Sequence, residues 1–120
     1  MKGRALPELK HATLAGALAA AARGPLGLVF VDGAERETEL PWAEVYRRAR
    51  RTAAGLQRLG LGLGERVALL LPTSPGFMDA FFGALLAGAV PVPLYPPVRL
   101  GRLEEYHHAT ARMLAVSGAA

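Results

Sequence analysis

An α/β fold with parallel strands is what this sequence predicts, and three observations carry the expectation. Val67 to Leu71 is an unbroken apolar run, the pattern of a strand buried on both faces. Pro72 stops it. Ser74 then stands at a helix N-cap position with Pro75 at the first helical residue. Phe77, Ala80, Phe81, Ala84, Leu85 and Gly88 recur at helical spacing, and Gly88 closes the helix where a left-handed residue is usual. A second apolar run, Ala89 to Leu94, follows at once. Strand, helix and strand in this order read as one βαβ unit with parallel strands and a right-handed crossover. The expected strands are Val67–Leu71 and Val90–Pro93, joined by a helix near Pro75–Ala87.

The remaining elements follow in order. Residues 1–12 read as an N-terminal tail. Thr13 caps a short helix to Arg23, with Leu14 and Leu18 on one face, and Gly24-Pro25 ends it. Leu26–Val31 is strand-like, Asp32-Gly33 signals a turn, and Glu35–Leu40 is the expected returning strand of an N-terminal hairpin. Pro41 suits the first turn of the next helix. Trp42, Val45, Tyr46, Ala49, Ala53, Leu56 and Leu59 form its apolar stripe, Arg47, Arg48, Arg50, Arg51 and Arg58 fall mostly off it, and Gly60 ends it. After the βαβ unit, Tyr95-Pro96-Pro97 must be extended. A last helix is expected from about Gly101 to Ser117, with Leu103, Tyr106, Thr110, Met113 and Ser117 along one side and Gly118 past its end. In an α/β alternation the next element is a strand. Residues 13–120 therefore read as an incomplete subdomain, with Leu69, Phe81, Phe82 and Leu86 expected to lack part of their cover.

Composition sets further bounds. The 52% hydrophobic share excludes disorder by composition, and 120 residues suffice for one small core. The net charge of +4 permits an anionic partner without requiring one. Cysteine is absent, which removes disulfides, thiolate metal sites and a cysteine nucleophile and fits a reducing, cytoplasmic setting. Ala80–Val98 is uncharged and nearly long enough to span a bilayer, but Gly88, Pro91, Pro93, Pro96 and Pro97 break any helix through its second half. Lys2 and Arg4 ahead of Ala12–Ala22 mimic a secretory leader. Glu8, Lys10 and His11 interrupt the approach, and a short amphipathic helix is the simpler reading.

No complete active site can be assembled. Gly60, Gly62 and Gly64 follow a helix and open a strand, the reverse of a phosphate-binding glycine loop. Thr73 and Ser74 do open a helix after a strand, but with no lysine in the loop; capping accounts for Ser74. Arg47–Arg51 lacks the aromatics or groove-fitting motif of a nucleic-acid module, so a solvated face is expected and nucleic acid is not. His107 and His108 are adjacent and point about 100° apart, unlike metal ligands on one helix face. His11 is alone, Glu104 and Glu105 are adjacent, and Asp79 reads as a first-turn carboxylate complementing the helix dipole. Pro91 and Pro93 each remove a ladder donor, so their strand is expected to be short or at an edge.

Leu40–Pro97 as a whole resembles the N-terminal part of adenylate-forming enzymes, the superfamily of acyl-CoA synthetases, peptide-synthetase adenylation domains and luciferases. LPWAEV is similar to its first core motif and LLAGAVPVPL to its second. Tyr95-Pro96-Pro97 followed by Arg102-Leu103-Glu104 resembles the fatty acyl-AMP ligase branch. The resemblance implies that Gly83, Gly88 and Ala89 let the crossover helix pack closely on the sheet. It implies that a complete enzyme of this kind activates a long-chain fatty acid with ATP and Mg²⁺. The acyl-adenylate is then passed to an acyl carrier protein thiol, in fatty acid metabolism or polyketide synthesis. The family's ATP loop, ribose-binding aspartate and catalytic lysine have no match here, so catalytic, cofactor-binding and metal residues are all expected to be none. The chain alone is expected to be inactive and to pack against the rest of a large domain. The alternatives are a fatty acyl-CoA ligase, or a non-catalytic α/β module binding a partner through the basic helix Arg47–Arg58.

Overall fold

The computed structural model describes residues 3–97 and 102–119. Eight elements follow one another: α1 (Leu14–Ala21), β1 (Gly27–Val31), β2 (Glu37–Pro41), α2 (Trp42–Arg58), β3 (Arg66–Leu69), α3 (Pro75–Leu86), β4 (Val90–Pro93) and α4 (Leu103–Ser117). β1 and β2 pair antiparallel, and β3 and β4 pair parallel with Arg66 opposite Val90 and Leu69 opposite Pro93. The βαβ unit is therefore as the apolar runs predict, within a mixed α/β fold.

Local chemistry fixes the boundaries. The Thr13 hydroxyl accepts the Gly16 amide at 3.0 Å, and the Ser74 hydroxyl accepts the Phe77 amide at 3.2 Å, each satisfying an orphan donor of a helix start. Gly60, Gly88 and Gly118 take positive φ at or just past helix ends, as their positions predict. The hairpin turn lies where Asp32-Gly33 places it, but Glu35, not Gly33, takes the left-handed conformation, with φ 59°. Its strain is offset by Asp32, whose carboxylate accepts the amides of Ala34 at 2.8 Å and Arg36 at 3.0 Å.

α2 and α3 pack side by side over the two small sheets. Leu18, Leu40, Val45, Ala49 and Phe82 form the buried core, with Phe30, Trp42, Met78 and Phe81 packed around it. Trp42 meets Phe82 edge to face, ring centroids 6.2 Å apart. Gly83 is the contact that brings the helices together. A Cβ there would stand 2.6 Å from Thr52 Cγ2 and 3.3 Å from the Ala49 carbonyl.

Three expectations need correction. Gly83 faces α2, so its missing side chain serves helix–helix rather than helix–sheet packing. Leu69 and Phe82 are well covered, at 5% and 9% exposure, because α3 lies over both the parallel pair and the core; Phe81 and Leu86 are half-buried. The uncovered apolar residues include Leu70 and Leu71, which run past the end of β4 and so leave the sheet, and Val29 and Val31 of the hairpin. Asp79 sits in the second turn of α3, not the first, and has a side-chain partner described below. The expected start of the last helix at Gly101 lies outside the described residues.

Candidate functional site

β3 and β4 run in the same direction, so their carboxyl ends open onto one side, where open α/β sheets bind ligands. The segment 70–74 leaves β3 there and leads into α3. A cleft of about 490 Å³ lies between this helix start and the hairpin, lined by Phe30, Val31, Arg36, Thr73, Ser74 and Met78. Ser74 and Arg36 are already engaged. The Ser74 hydroxyl donates to the Pro72 carbonyl at 3.0 Å while accepting the Phe77 amide. Arg36 Nε donates to Asp32 at 2.8 Å within the turn. Ser74 is a cap in this arrangement, and Thr73 lies beside it, exposed.

Tyr95–Pro97 leaves β4 without helix or strand, and the Tyr106 hydroxyl of α4 donates to the Tyr95 carbonyl at 2.7 Å. The two stretches that carry the branch resemblance are thus held together, with Arg102, Glu105 and Tyr106 beside Tyr95 and Pro96. The periodicity placed Tyr106 on the inner stripe of α4; its hydroxyl partner, eleven residues away, has no signal in the sequence.

The arginines of α2 divide into two kinds. Arg47 forms a two-pronged pair with Glu44, at 2.8 and 2.5 Å, on the exposed helix surface. That hydrogen bond holds the Glu44 carboxyl below the usual glutamate range and raises Arg47. Arg48 does not lie on an outward face. Its Nε and Nη2 reach Asp79 Oδ2 of α3 at 3.2 and 2.6 Å, and this hydrogen bond raises the Arg48 pKa. The second Asp79 oxygen is buried with no hydrogen-bond partner among the described residues. Arg50 stacks over the Tyr46 ring at 5.8 Å, and Arg51 and Arg58 line a shallow polar groove with Arg47.

His107 and His108 are both exposed, and His107 lies 6.0 Å from the Tyr106 ring. Among the described residues no group of three or more His, Asp or Glu side chains is placed to hold a metal ion. No described helix is long and apolar enough to cross a membrane.

Residues 18–119 match the family described as AMP-binding enzyme. The chain belongs to that family. It is 42% identical over 76 residues to the long-chain-fatty-acid–AMP ligase FadD32 of Mycolicibacterium smegmatis, covering 63% of this chain and 12% of that one. It is 45% identical over 74 residues to a feruloyl-CoA synthase of an Amycolatopsis species, covering 62% of this chain and 14% of that one. Its backbone superposes with TM-score 0.87 and 35% identity on a solved structure from a study of fatty acyl-adenylate ligases of E. coli and L. pneumophila. That likeness covers 92% of this chain and 20% of that one. The chain therefore spans between an eighth and a fifth of the length of these relatives.

Proposed function

We propose that this chain is the N-terminal portion of an ATP-dependent fatty acyl-AMP ligase. The complete enzyme activates a long-chain fatty acid as its acyl-adenylate, releases pyrophosphate and hands the acyl group to an acyl carrier protein thiol. Residues 13–120 are the incomplete N-terminal subdomain of its AMP-binding domain, behind a tail of residues 1–12. The observation that carries this reading is the likeness to a fatty acyl-adenylate ligase fold over nearly the whole chain. The Tyr95–Pro97 segment tied to α4 adds support for this branch.

The division of labour follows from the residues present. Adenylate formation holds a carboxylate in line with an α-phosphate and needs cations where charge grows on the leaving pyrophosphate. Here the α3 N-terminus is closed by Ser74, and the lysines are Lys2 and Lys10, both ahead of α1. The described residues do not fit ATP or Mg²⁺. This segment supplies packing for the large domain, and the nucleotide-binding and catalytic groups belong to chain beyond it.

A CoA ligase is the second reading, favoured by the identity to feruloyl-CoA synthase. The basic helix as a free docking module is weaker, because Arg47 and Arg48 already hold carboxylates. Reading the DNA past the codon for Ala120 is the first test. A frame that continues into a strand and a Gly/Ser/Thr-rich loop with a lysine supports the ligase, and a stop codon there favours the module. Acyl transfer by the longer protein to a carrier protein rather than to free CoA separates the first two readings.

A further inference from the structure

α4 carries the chain from one end of the parallel pair to the other. It begins beside Tyr95, past the carboxyl end of β4, where the Tyr95 carbonyl accepts the Tyr106 hydroxyl at 2.7 Å. It ends beside the first residue of β3: a Cβ on Gly118 would lie 3.0 Å from Arg66 Nη1. By strand alternation and register, Arg66, Ala68, Val92 and Leu94 share one face of the pair, and Leu94 lines a cleft with Ala109, Met113 and Ser117 of α4. Leu69 lies on the other face, under α3, which packs against α1, α2 and both strands but not along α4. The two helices therefore cover opposite faces. The two edges differ as well. The Val90 amide donates to the Glu65 carbonyl at 2.7 Å and the Leu94 amide to the Leu69 carbonyl at 2.9 Å, so Pro91 and Pro93 face outward along β4. That edge has no amide donor at either position. The β3 edge turns out Arg66, Ala68 and Leu70, each with its amide.

We propose that in the complete enzyme the strand that follows α4 pairs parallel with β3, giving the strand order β4, β3, new strand. The proposal rests on the reading of this chain as part of a longer adenylate-forming domain. Two independent features lead to it. The first is handedness. A right-handed crossover over the α3 face leads from β3 to β4, so a right-handed crossover over the opposite face leads back the other way, past β3. α4 makes that return, and it leaves the chain at the amino end of β3, where a parallel neighbour has to start. The second is the chemistry of the edges. Pro91 and Pro93 deny the outer edge of β4 to a further strand, while Arg66, Ala68 and Leu70 offer donors and acceptors on the β3 side. A two-stranded sheet of four residues each is marginal, and a third parallel strand between the two helix layers buries it on both faces. β3 then stands inside the sheet. Its connection and that of the new strand lead away in opposite directions, so the carboxyl end of β3, followed by Leu70–Ser74, becomes a topological switch point.

The longest protein encoded by the reading frame is the material for the test. Its crystal structure is expected to show the strand after α4 beside β3 and parallel to it, with β4 at the edge. In solution, hydrogen exchange at the Ala68 amide is expected to be at least about a hundredfold slower than at Gly33 in the hairpin turn. A next strand that lies beside β4, runs antiparallel to β3 or joins another sheet would overturn the proposal, as would an Ala68 amide that exchanges as fast as Gly33. ATP–pyrophosphate exchange on the same protein separates the two readings. Fatty-acid-driven exchange with any other strand order overturns this proposal and leaves the function standing. The expected strand order in a protein without that exchange upholds the proposal and removes the fatty acid reading. A stop codon directly after Ala120 overturns both.

Discussion

Arg48 and Asp79, 31 residues apart, tie α2 to α3 through one carboxylate oxygen at 2.6 Å from Nη2, with side-chain exposures of 34% and 21%. The pair lies at the rim of the helix–helix contact that Gly83 makes possible. It is a charge-assisted bond in a half-dry place, so water screens it less than the exposed Arg47–Glu44 pair. A double-mutant cycle of Arg48→Ala and Asp79→Ala, read by chemical denaturation, is expected to give a coupling of about 1 kcal/mol. The same cycle on Arg47 and Glu44 is expected to give less. Equal couplings would mean that burial adds nothing here.

Two glycines on packed helices should respond oppositely to alanine. At Gly83 the new methyl meets Thr52 Cγ2 at 2.6 Å and Cβ at 2.7 Å, so α2 and α3 must separate, at a cost of about 1–3 kcal/mol. Thr52→Ala in that background should restore only part, since the Thr52 Cβ contact remains. At Gly55, in the middle of α2, the nearest atom is Arg58 Nη2 at 4.0 Å, so Gly55→Ala should stabilise by about 0.5–1 kcal/mol. Thermal melts of the two variants would check both signs.

The hairpin turn predicts a pH dependence. The Asp32 carboxyl is held below the usual aspartate range, first by the Arg36 amide, then by the Ala34 amide. A carboxyl depressed in the folded state contributes stability above its unfolded pKa and loses it as pH falls through the folded value. Acid should therefore loosen the turn below the ordinary aspartate range, not near neutrality. Amide exchange at Ala34 and Arg36 should rise there, and Asp32→Asn should flatten the dependence. An unchanged acid response in Asp32→Asn would assign it elsewhere.

These features differ in how far the sequence reveals them. The βαβ unit was legible because Val67–Leu71 and Ala89–Leu94 are continuous apolar runs and Ser74-Pro75 is a local start signal. The hairpin was legible from Asp32-Gly33, but which turn residue goes left-handed depended on the Asp32 carboxylate, and Glu35 took that role. Arg48 looked like its neighbours because periodicity tells which face of a helix is apolar, not which charge waits on another helix. Gly83 was marked as a packing glycine, but its partner, Thr52, is a tertiary fact. At the candidate site, the cap at Ser74 was legible from strand–Pro–Ser–Pro order. The Tyr106–Tyr95 bond was not, because it spans a segment whose path no local rule sets.

The central claim is that this chain belongs to an enzyme that makes fatty acyl-adenylates. ATP–pyrophosphate exchange tests it most directly, measured on the longest protein encoded by the reading frame and, beside it, on the 120-residue chain. The account predicts exchange driven by medium- or long-chain fatty acids in the longer protein and none in the 120 residues alone. Exchange driven by amino acids alone, or by the isolated chain, would contradict it.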